Sequence, residues 1–376
     1  MIGLITLNSN FTELATSLCN EALLKTETDF ALHRQIWLEA FEKHFCEVCA
    51  NVVQMQSEST ISAISYLEYT ILNTNFLNRQ YVAEIYVYGD DGYLDKNQRM
   101  IGEYDVSFLF VHFDELWNNL LGKRKLYIGK VSSQDIMSFM VQALPDFCSY
   151  LTNIIRFAIV DCVDEKPFIE IVKNDEFEVC VGDYMAITDP VFTLKKNKNA
   201  DELANWFSER LEYDYIFEDC SGLDFTGRDF SCTVFRYVQF RKALLNHANL
   251  CNCELVGAIF YNAQLENCNL SKSSIYEADF SYANLKNANL TDVYGKIGII
   301  DKMLWMDVGF LPVSFRNADL TGADLSWSDL TGADFSGANL TDTNFTDTIL
   351  DNAIFSDGDL PLTEDQKSKI IINRGD

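Results

Sequence analysis

Large apolar residues recur at every fifth position in the C-terminal part of the chain. The run begins at Phe225 and ends at Leu290, and the same phase returns at Phe315 and continues to Phe355. With 14 such positions before the gap and 9 after it, chance would produce this pattern on the order of once in 10⁷ sequences. The central positions are Phe225, Phe230, Phe235, Phe240, Leu245, Leu250, Leu255, Phe260, Leu265, Leu270, Ile275, Phe280, Leu285, Leu290, Phe315, Leu320, Leu325, Leu330, Phe335, Leu340, Phe345, Leu350 and Phe355.

A small residue precedes most of the central residues by two positions, as Ala318 precedes Leu320. Residues two apart lie on the same face of an extended segment, so both point into the same interior. Polar pairs such as Thr321 and Gly322 separate the repeats and suit tight turns. Because neither a helix nor a flat strand has a period of five, the pattern predicts a chain that turns at each repeat. Stacking of the turns gives a solenoid with sheet edges only at its two ends.

Units such as Ala318 to Gly322 and Ala338 to Asp342 resemble those of pentapeptide-repeat proteins, whose usual unit is Ala-(Asp or Asn)-Leu followed by two variable residues. The resemblance covers about residues 221–355. It implies an all-β, right-handed quadrilateral β-helix with four repeats per coil. On that basis the repeats would form nearly six coils, or a rod of roughly 28 Å at the strand spacing of a sheet.

Two parts of the repeat region depart from the pattern. Leu223 and Arg228 are too large for the small inward position, so we expect the first coil to be distorted or covered by the N-terminal domain. Residues 291–312 break the consensus, although the gap keeps a multiple of five. One alternative is a degenerate coil with Ile300, Trp305 and Phe310 as central residues. The other is an extruded loop or short helix, because Ile297, Ile300, Leu304 and Val308 follow helical spacing.

The sequence predicts a mixed α+β domain over residues 1–212, the β-helix over 213–360, and a short capping helix and tail over 361–376 that begin at Thr363. The N-terminal domain resembles no family that we recognise. Its predicted helices begin at Asp29, at a capping box of Ser132 with Asp135 that Pro145 ends or kinks, and at residue 200. The predicted strands cover residues 67–71, 81–88 and 106–111, and a hairpin pairs 168–172 with 177–181.

The net charge of −27 is spread over the whole chain. Such an acidic protein repels phosphate backbones and anionic lipids, so direct binding of nucleic acid or membrane is disfavoured. It would attract a protein partner with a basic surface, including one that normally holds DNA. The apolar run Ile154 to Val160 is too short to span a bilayer, and the N-terminal run lacks the basic leader of a signal peptide. We therefore expect a soluble cytoplasmic protein.

Three small clusters in the N-terminal half are candidates for chemistry. Cys46 and Cys49 have the CxxC spacing of zinc and redox sites, but no second pair completes them. His112, Asp114 and Glu115 could supply metal ligands or an acid and a base. Asp91, Asp95 and Asn97 resemble a calcium loop only faintly, because the required Gly and terminal Glu are missing. In each case ordinary packing or a solvated turn explains the residues, so we predict no catalytic residues, cofactor or metal.

Three hypotheses for function follow. The first is a non-catalytic scaffold whose acidic β-helix displays an adhesive insertion from Tyr294 to Phe310, with dimerisation left open. The second is a DNA-mimicking protector of a type II topoisomerase, in antibiotic resistance or self-immunity, as the resemblance implies for some family members. The third is an enzyme within residues 1–212. The candidate partner-binding residues are Ile300, Leu304, Trp305, Phe310, Tyr237, Tyr282, Trp327, Asp319, Asp324, Asp329 and Asp334.

Overall fold

A computed structural model of the chain divides it into two compact units, residues 1–194 and 195–376. This division precedes the boundary that the sequence predicts after residue 212, because the helix at residues 200–207 packs on the first coil of the repeats. The structure describes residues 9–91, 94–95, 98–183, 188–211, 215–299, 308–358 and 360–373.

The first unit combines long helices with a five-stranded sheet. In chain order its helices and strands are α1 (Ser9–Ser57), β1 (Ile64–Ile71), α2 (Asn73–Leu77), β2 (Val82–Tyr88), β3 (Arg99–Asp105), α3 (Val111–Lys123), α4 (Ser133–Cys162), α5 (Lys166–Glu170), β4 (Lys173–Asp183) and β5 (Thr188–Lys195).

The strand order of this sheet is β3-β2-β1-β4-β5. Strand β1 runs antiparallel to β2 and parallel to β4, so Tyr69 pairs with Ile85 on one side and with Val181 on the other. The ring of Tyr69 lies 5.3 Å from that of Phe41 on α1, and α1 and α4 pack against each other. Burial of alternate strand residues beneath these helices forms the core of the unit.

Several predicted elements of the first unit are wrong. Residues 106–111 form a 3-10 turn and the start of α3 instead of a strand. Residues 168–170 belong to α5, which has a Pro in its first turn, and β4 runs straight through the turn predicted at Lys173. The first helix starts at Ser9, well before Asp29. Pro145 lies inside α4 and does not end it.

The second unit is a β-helix solenoid in which each coil contains 20 residues, or four repeats. Parallel bridges join Asp219 to Gln239, and Gln239 to Ile259, and the spacing of 20 holds along the stack except across the interruption of the repeats, where it is 35, as between Asp279 and Ser314. The outward residue of one coil therefore lies beside the residue 20 positions later. Two short stretches of these coils, β8 (Asp334–Phe335) and β9 (Ile354–Ser356), are regular enough to count as strands.

Phenylalanine rings stack through the interior of the solenoid along one column. The ring of Phe260 lies 4.7 Å from that of Phe280, with an interplanar angle of 2°. Phe280 in turn stacks on Phe315, at 5.3 Å. The full column is Phe240, Phe260, Phe280, Phe315, Phe335 and Phe355.

The interruption of the repeats is an extruded segment and not an additional coil. The ladder continues through Ile297, whose N–H donates to the carbonyl of Thr331, and it resumes at Val313, which is fully buried. Between them, β6 (Gly298–Ile299) pairs antiparallel with β7 (Val308–Gly309). A degenerate coil would have placed residue 300 against Phe280. Ile300, Leu304 and Trp305 lie outside the described residues.

Each end of the solenoid has a cap. Helix α6 (Ala200–Phe207) covers the first coil, where the ring of Phe207 lies 4.9 Å from that of Phe235. This helix explains the two oversized residues, because Leu223 packs against the covered core and Arg228 pairs with Asp201. The sequence leaves open which part of the N-terminal half would cover this coil.

At the other end, a short helix and a strand follow the last coil. Thr363 caps α7 (Glu364–Lys367), as the sequence predicts, and Gln366 donates to the carbonyls of Phe345 (2.8 Å) and Thr348 (3.1 Å). Strand β10 (Ile371–Asn373) pairs with β9. These contacts occupy part of the backbone edge of the final coil.

Candidate interaction surface

The four candidate acids of the repeat surface hold the corners of the coils. Asp319, Asp324, Asp329 and Asp334 each accept a hydrogen bond from the backbone N–H two residues later, at distances of 2.8 to 3.2 Å. Such short-range bonds stabilise tight turns. These bonds place the four aspartates at the corners of the coils. The carboxylate oxygens that take no part in the corner bonds remain on the surface.

Acids do not form a continuous stripe along the stack. Asp319 lies beside Asn339, whose side-chain amide donates to it at 3.3 Å, and Asp324 receives the same bond from Asn344 at 2.9 Å. Asp329 pairs with Ile349 in the ladder. The acidic positions thus alternate with amide or apolar ones, as the 20-residue spacing predicts.

Two of these carboxylates face bases of the same unit. Lys286 lies 3.1 Å from Asp319, and Arg316 lies 3.8 Å from Asp334. Although burial acts to raise the pKa of Asp319, hydrogen bonds from Thr321 and the charge of Lys286 lower it. Asp319 and Asp334 are therefore partly neutralised by their own unit, so Asp324 and Asp329 are better placed to meet a partner's charge.

The aromatic candidates differ in exposure. Trp327 and Tyr282 are 63% and 53% exposed, whereas Phe310 is only 4% exposed and donates its N–H to Glu277. Tyr237 stacks on Phe217 at 5.2 Å and lies half-buried along the coil. Trp327 and Tyr282 therefore remain the aromatic side chains best placed to meet a partner.

The backbone at the exposed aromatic corners is in the left-handed region. The φ angle is 59° at Trp327 and 60° at Tyr282. The equivalent corners of other repeats share this conformation, whether they hold Gly, as at Gly322, or a long side chain, as at Lys272. A left-handed corner is therefore a general feature of the coils, and it costs a residue with a Cβ atom more than it costs Gly.

Two exposed residues that are not among the candidate partner-binding residues lie next to Asp329. Tyr294 and Ile349 are its ladder neighbours on the preceding and following coils. The 20-residue spacing already pairs Ile349 with Asp329. The pairing of Tyr294 with Asp329 depends on the extruded segment, which shifts the register to 35 residues, so the repeat alone does not show it.

The N-terminal clusters do not assemble into one reactive site. His112 contacts Asp29 at 2.8 Å and Glu115 at 3.1 Å, whereas Asp114 accepts from the hydroxyl of Tyr81 at 2.5 Å. A cleft of about 410 Å³ borders Tyr81, but neither His112 nor Asp114 is among the described residues that line it. The histidine and the aspartate thus have separate structural partners.

The CxxC pair lies in the C-terminal part of α1. Cys49 is fully buried, and burial raises the pKa of its thiol to about 12, which disfavours the reactive thiolate. Cys46 is half-buried. Within the described part of the chain, no group of three or more His, Cys, Asp and Glu side chains is arranged to hold a metal ion.

The remaining predicted cluster, at the β2–β3 connection, is only partly described. Asp95 accepts a hydrogen bond from the N–H of Gly89 at 2.6 Å, which holds the loop in place, and Asn97 lies outside the described residues.

Among the helices that the structure describes, none has the length and apolar character needed to cross a bilayer.

Comparison with known proteins identifies the repeats. Residues 233–271, 265–292 and 313–360 match the model of the pentapeptide repeats in eight copies. The C-terminal unit therefore contains pentapeptide repeats, and the matched residues all lie after the α/β unit in the sequence. No curated protein sequence matches the chain.

Solved structures of pentapeptide repeat proteins are similar to part of the chain. One from the thylakoid lumen of Arabidopsis thaliana is 27% identical, with 39% of this chain and 74% of that chain covered and a TM-score of 0.19. One from Nostoc PCC 7120 is 26% identical, with 31% and 84% covered and a TM-score of 0.25. The full-length plasmid-mediated fluoroquinolone resistance protein QnrB1 is 18% identical, with 42% and 91% covered and a TM-score of 0.17.

Proposed function

We propose that this chain is a non-catalytic protein-interaction protein whose right-handed, four-sided β-helix presents a rigid acidic surface to a basic protein partner in the cytoplasm. The observation that carries the proposal is the charge of the last coils. Between Ala318 and Leu360 there are nine acids and no Lys or Arg. The backbone ladder holds four of them, Asp319, Asp324, Asp329 and Asp334, in fixed register.

Rigidity makes such a surface suitable for binding. Backbone hydrogen bonds to a neighbouring coil hold outward residues in place, as the bond from the N–H of Asp324 to the carbonyl of Ala288 does. A partner that docks on a pre-ordered surface loses less conformational entropy than one that must order a loop. Electrostatic complementarity then accelerates association and favours basic partners over others.

A role without catalysis is supported by the separate structural contacts of His112 and Asp114 and by the high pKa of the Cys49 thiol. The pentapeptide repeat family has protein-interaction roles. The proposal assigns binding to the repeats and leaves the first unit available for a second partner.

The experiment uses a variant that removes charge without removing the corner bonds. Asn retains the side-chain oxygen that accepts the N–H two residues later, so Asp→Asn at residues 319, 324, 329 and 334 keeps the turns. The matched control neutralises four exposed acids of α1 by Glu→Gln. The control positions are Glu13, Glu21, Glu39 and Glu47.

The intact protein and both variants are used for affinity capture at low and moderate salt, with mass spectrometry as the readout. We expect the intact protein and the α1 control to retain one partner in a salt-sensitive manner, and the Asn variant to lose it. Equal capture by the Asn variant and the intact protein would refute the acidic-surface proposal.

A second candidate function, protection of a type II topoisomerase by DNA mimicry, is favoured by the same run of acids without bases. Alternation of Asp with Asn along the stack weakens it, because DNA presents an unbroken series of charges. The discriminating assay is gyrase supercoiling in the presence of a fluoroquinolone. Restored supercoiling with the intact protein, and not with the Asn variant, would favour this function over the first.

A further inference from the structure

Six surface residues on three consecutive coils form a compact group, the Trp327 patch, which contains Asp292, Tyr294, Trp327, Asp329, Asp347 and Ile349. Backbone bonds fix their order. The N–H of Asp329 donates to Val293 at 3.0 Å, and that of Ile349 donates to Ser328 at 2.9 Å. Each coil contributes one acid and one apolar residue, so the two kinds alternate across the patch.

The apolar members are exposed and adjacent. Trp327 is 63% exposed, Ile349 49% and Tyr294 46%. Single exposed apolar residues are common on soluble proteins and need no explanation. Here three lie on consecutive coils, about 4.8 Å apart per coil, with Trp327 diagonal to Tyr294 and Ile349 and the acids between them, a setting of the kind in which Trp and Tyr anchor partners.

Trp327 differs from the other residues at its corner in side chain and not in backbone. Its φ is 59°, and Lys272 and Asn252, at the same corner two and three coils earlier, have φ of 62° and 53°. The left-handed backbone is therefore a property of the corner. What distinguishes Trp327 is a large exposed indole at a position where the preceding coils have polar side chains.

The charges around the indole indicate what kind of group it meets. Asp292 and Asp347 occupy the same corner as Trp327 on the preceding and following coils, and Asp329 lies two residues after it. Lys272 borders the patch one coil before Asp292. A guanidinium group suits such a setting, because it stacks on an indole face and pairs with carboxylates through its planar edge.

We infer that the Trp327 patch binds a protein segment in which an arginine lies between apolar side chains. The guanidinium stacks on Trp327 and pairs with Asp329 or Asp347, and the apolar neighbours pack on Tyr294 and Ile349. The inference rests on the proposed interaction function, for which it names the chemistry of the partner and the place where it docks.

The probe is a short fluorescent peptide in which arginine alternates with leucine, and the readout is fluorescence anisotropy with the full-length protein. Trp327→Gly removes the indole and also relieves the backbone strain, so its melting temperature should equal or exceed that of the parent. Asn262→Gly is the matched control, because Asn262 is also exposed at a left-handed corner, with φ of 55°, but lies in another column of the solenoid and outside the candidate residues.

We expect Trp327→Gly to weaken binding by about tenfold or more, in line with the loss of a desolvated cation–π contact, and Asn262→Gly to leave it unchanged. Replacing arginine by lysine in the peptide should weaken binding, because lysine lacks the planar group. Asp347→Asn should weaken binding and reduce its dependence on salt.

Three outcomes would overturn the inference. In the first, Trp327→Gly and the parent bind the peptide alike, or neither binds it. In the second, Asn262→Gly loses binding as much as Trp327→Gly does, which would indicate an effect of glycine at a corner and not of the indole. In the third, gel filtration shows self-association that Trp327→Gly abolishes, which would make a second copy of the chain the occupant. Salt-sensitive capture lost only in the Asn variant would preserve the acidic-surface proposal in each case.

Discussion

The chain has a glycine at residue 295, a position at which the other repeats have a large apolar side chain. Gly295 occupies the interior position between Ile275 on the preceding coil and Leu330 on the following one. A Cβ atom there would lie 2.6 Å from Cγ2 of Val313 and 3.0 Å from Cγ1 of Ile275. The side chain of Val313, from the returning end of the extruded segment, takes the space that the missing side chain leaves.

Gly295→Ala should therefore destabilise the solenoid by about 1–3 kcal/mol, because the added methyl group overpacks a closed interior. The measurement is the denaturant midpoint of the full-length protein. Gly122→Ala is the control, because Gly122 lies in α3 with no atom within 4 Å of the added Cβ. It should stabilise by up to about 1 kcal/mol through helix propensity. An unchanged midpoint for Gly295→Ala would mean that the interior has slack at this coil.

Single residues differ in how far the sequence predicts their roles. The corner bonds of Asp324 and Asp329 follow from the repeat phase and from ordinary turn chemistry, so they could be predicted. The continuation of the coil through Gly295 could not, because a glycine breaks the apolar pattern that reveals the repeat. Whether Tyr294 lies beside Asp329 depends on how many residues leave the coil between them, and that number is a property of the fold.

At the scale of elements, the capping box of α4 is the feature that the sequence predicts most directly. Ser132 accepts from the N–H of Asp135 at 3.1 Å, and Asp135 accepts from the N–H of Ser132 at 2.7 Å. The backbone bond and then the side-chain bond from Ser132 lower the pKa of Asp135 below its usual 3.8. The carboxylate therefore stabilises the helix above that pH, and the effect fades as pH falls through the lowered pKa.

Ser132→Ala should destabilise the protein by about 1 kcal/mol at neutral pH, through loss of the helix cap. Part of this difference comes from the charged Asp135 and should shrink below about pH 4. Ser132→Thr keeps the hydroxyl and should restore most of the stability. Thermal unfolding at a series of pH values measures both effects. A Thr variant as unstable as the Ala variant would show that packing, and not capping, is responsible.

Prediction of the other elements succeeded where periodicity was unambiguous. Strands β1 and β2 lie where the alternating residues place them. Residues 106–111 are predicted as a strand, but they form a 3-10 turn and the start of α3, with Val106, Leu109 and Phe110 buried. A short, mostly apolar run has the same sequence signature in both structures. The strand predicted from residue 168 is replaced by α5, because Pro167 lies in the first turn of this helix, where Pro is favoured.

For the whole molecule, the eleven cysteines provide a test of both units at once. All are free, and seven are buried, with Cys19 and Cys49 in the first unit and Cys253 and Cys268 in the second among them. Burial raises the pKa of Cys19 and Cys253 to about 12, so their thiols should resist alkylation in the native state.

Alkylation with a maleimide at neutral pH should modify Cys232 first, because it is the exposed thiol among them, and peptide mass spectrometry locates the label. The buried thiols should react only as denaturant unfolds the unit that contains them. Rapid native labelling of Cys49 would contradict the packing described for α1 and would reopen a redox role for the CxxC pair.

The ladder of 20-residue coils also sets the molecule's scale of length. Two side chains in one column are separated by a whole number of coil heights, each about 4.8 Å. A coil inserted at a turn would move everything beyond it by one such step and leave the surfaces on both sides intact. Two partners bound along one column would therefore lie a whole number of coil heights apart. A change in the distance between them can be matched only by adding or deleting a complete coil.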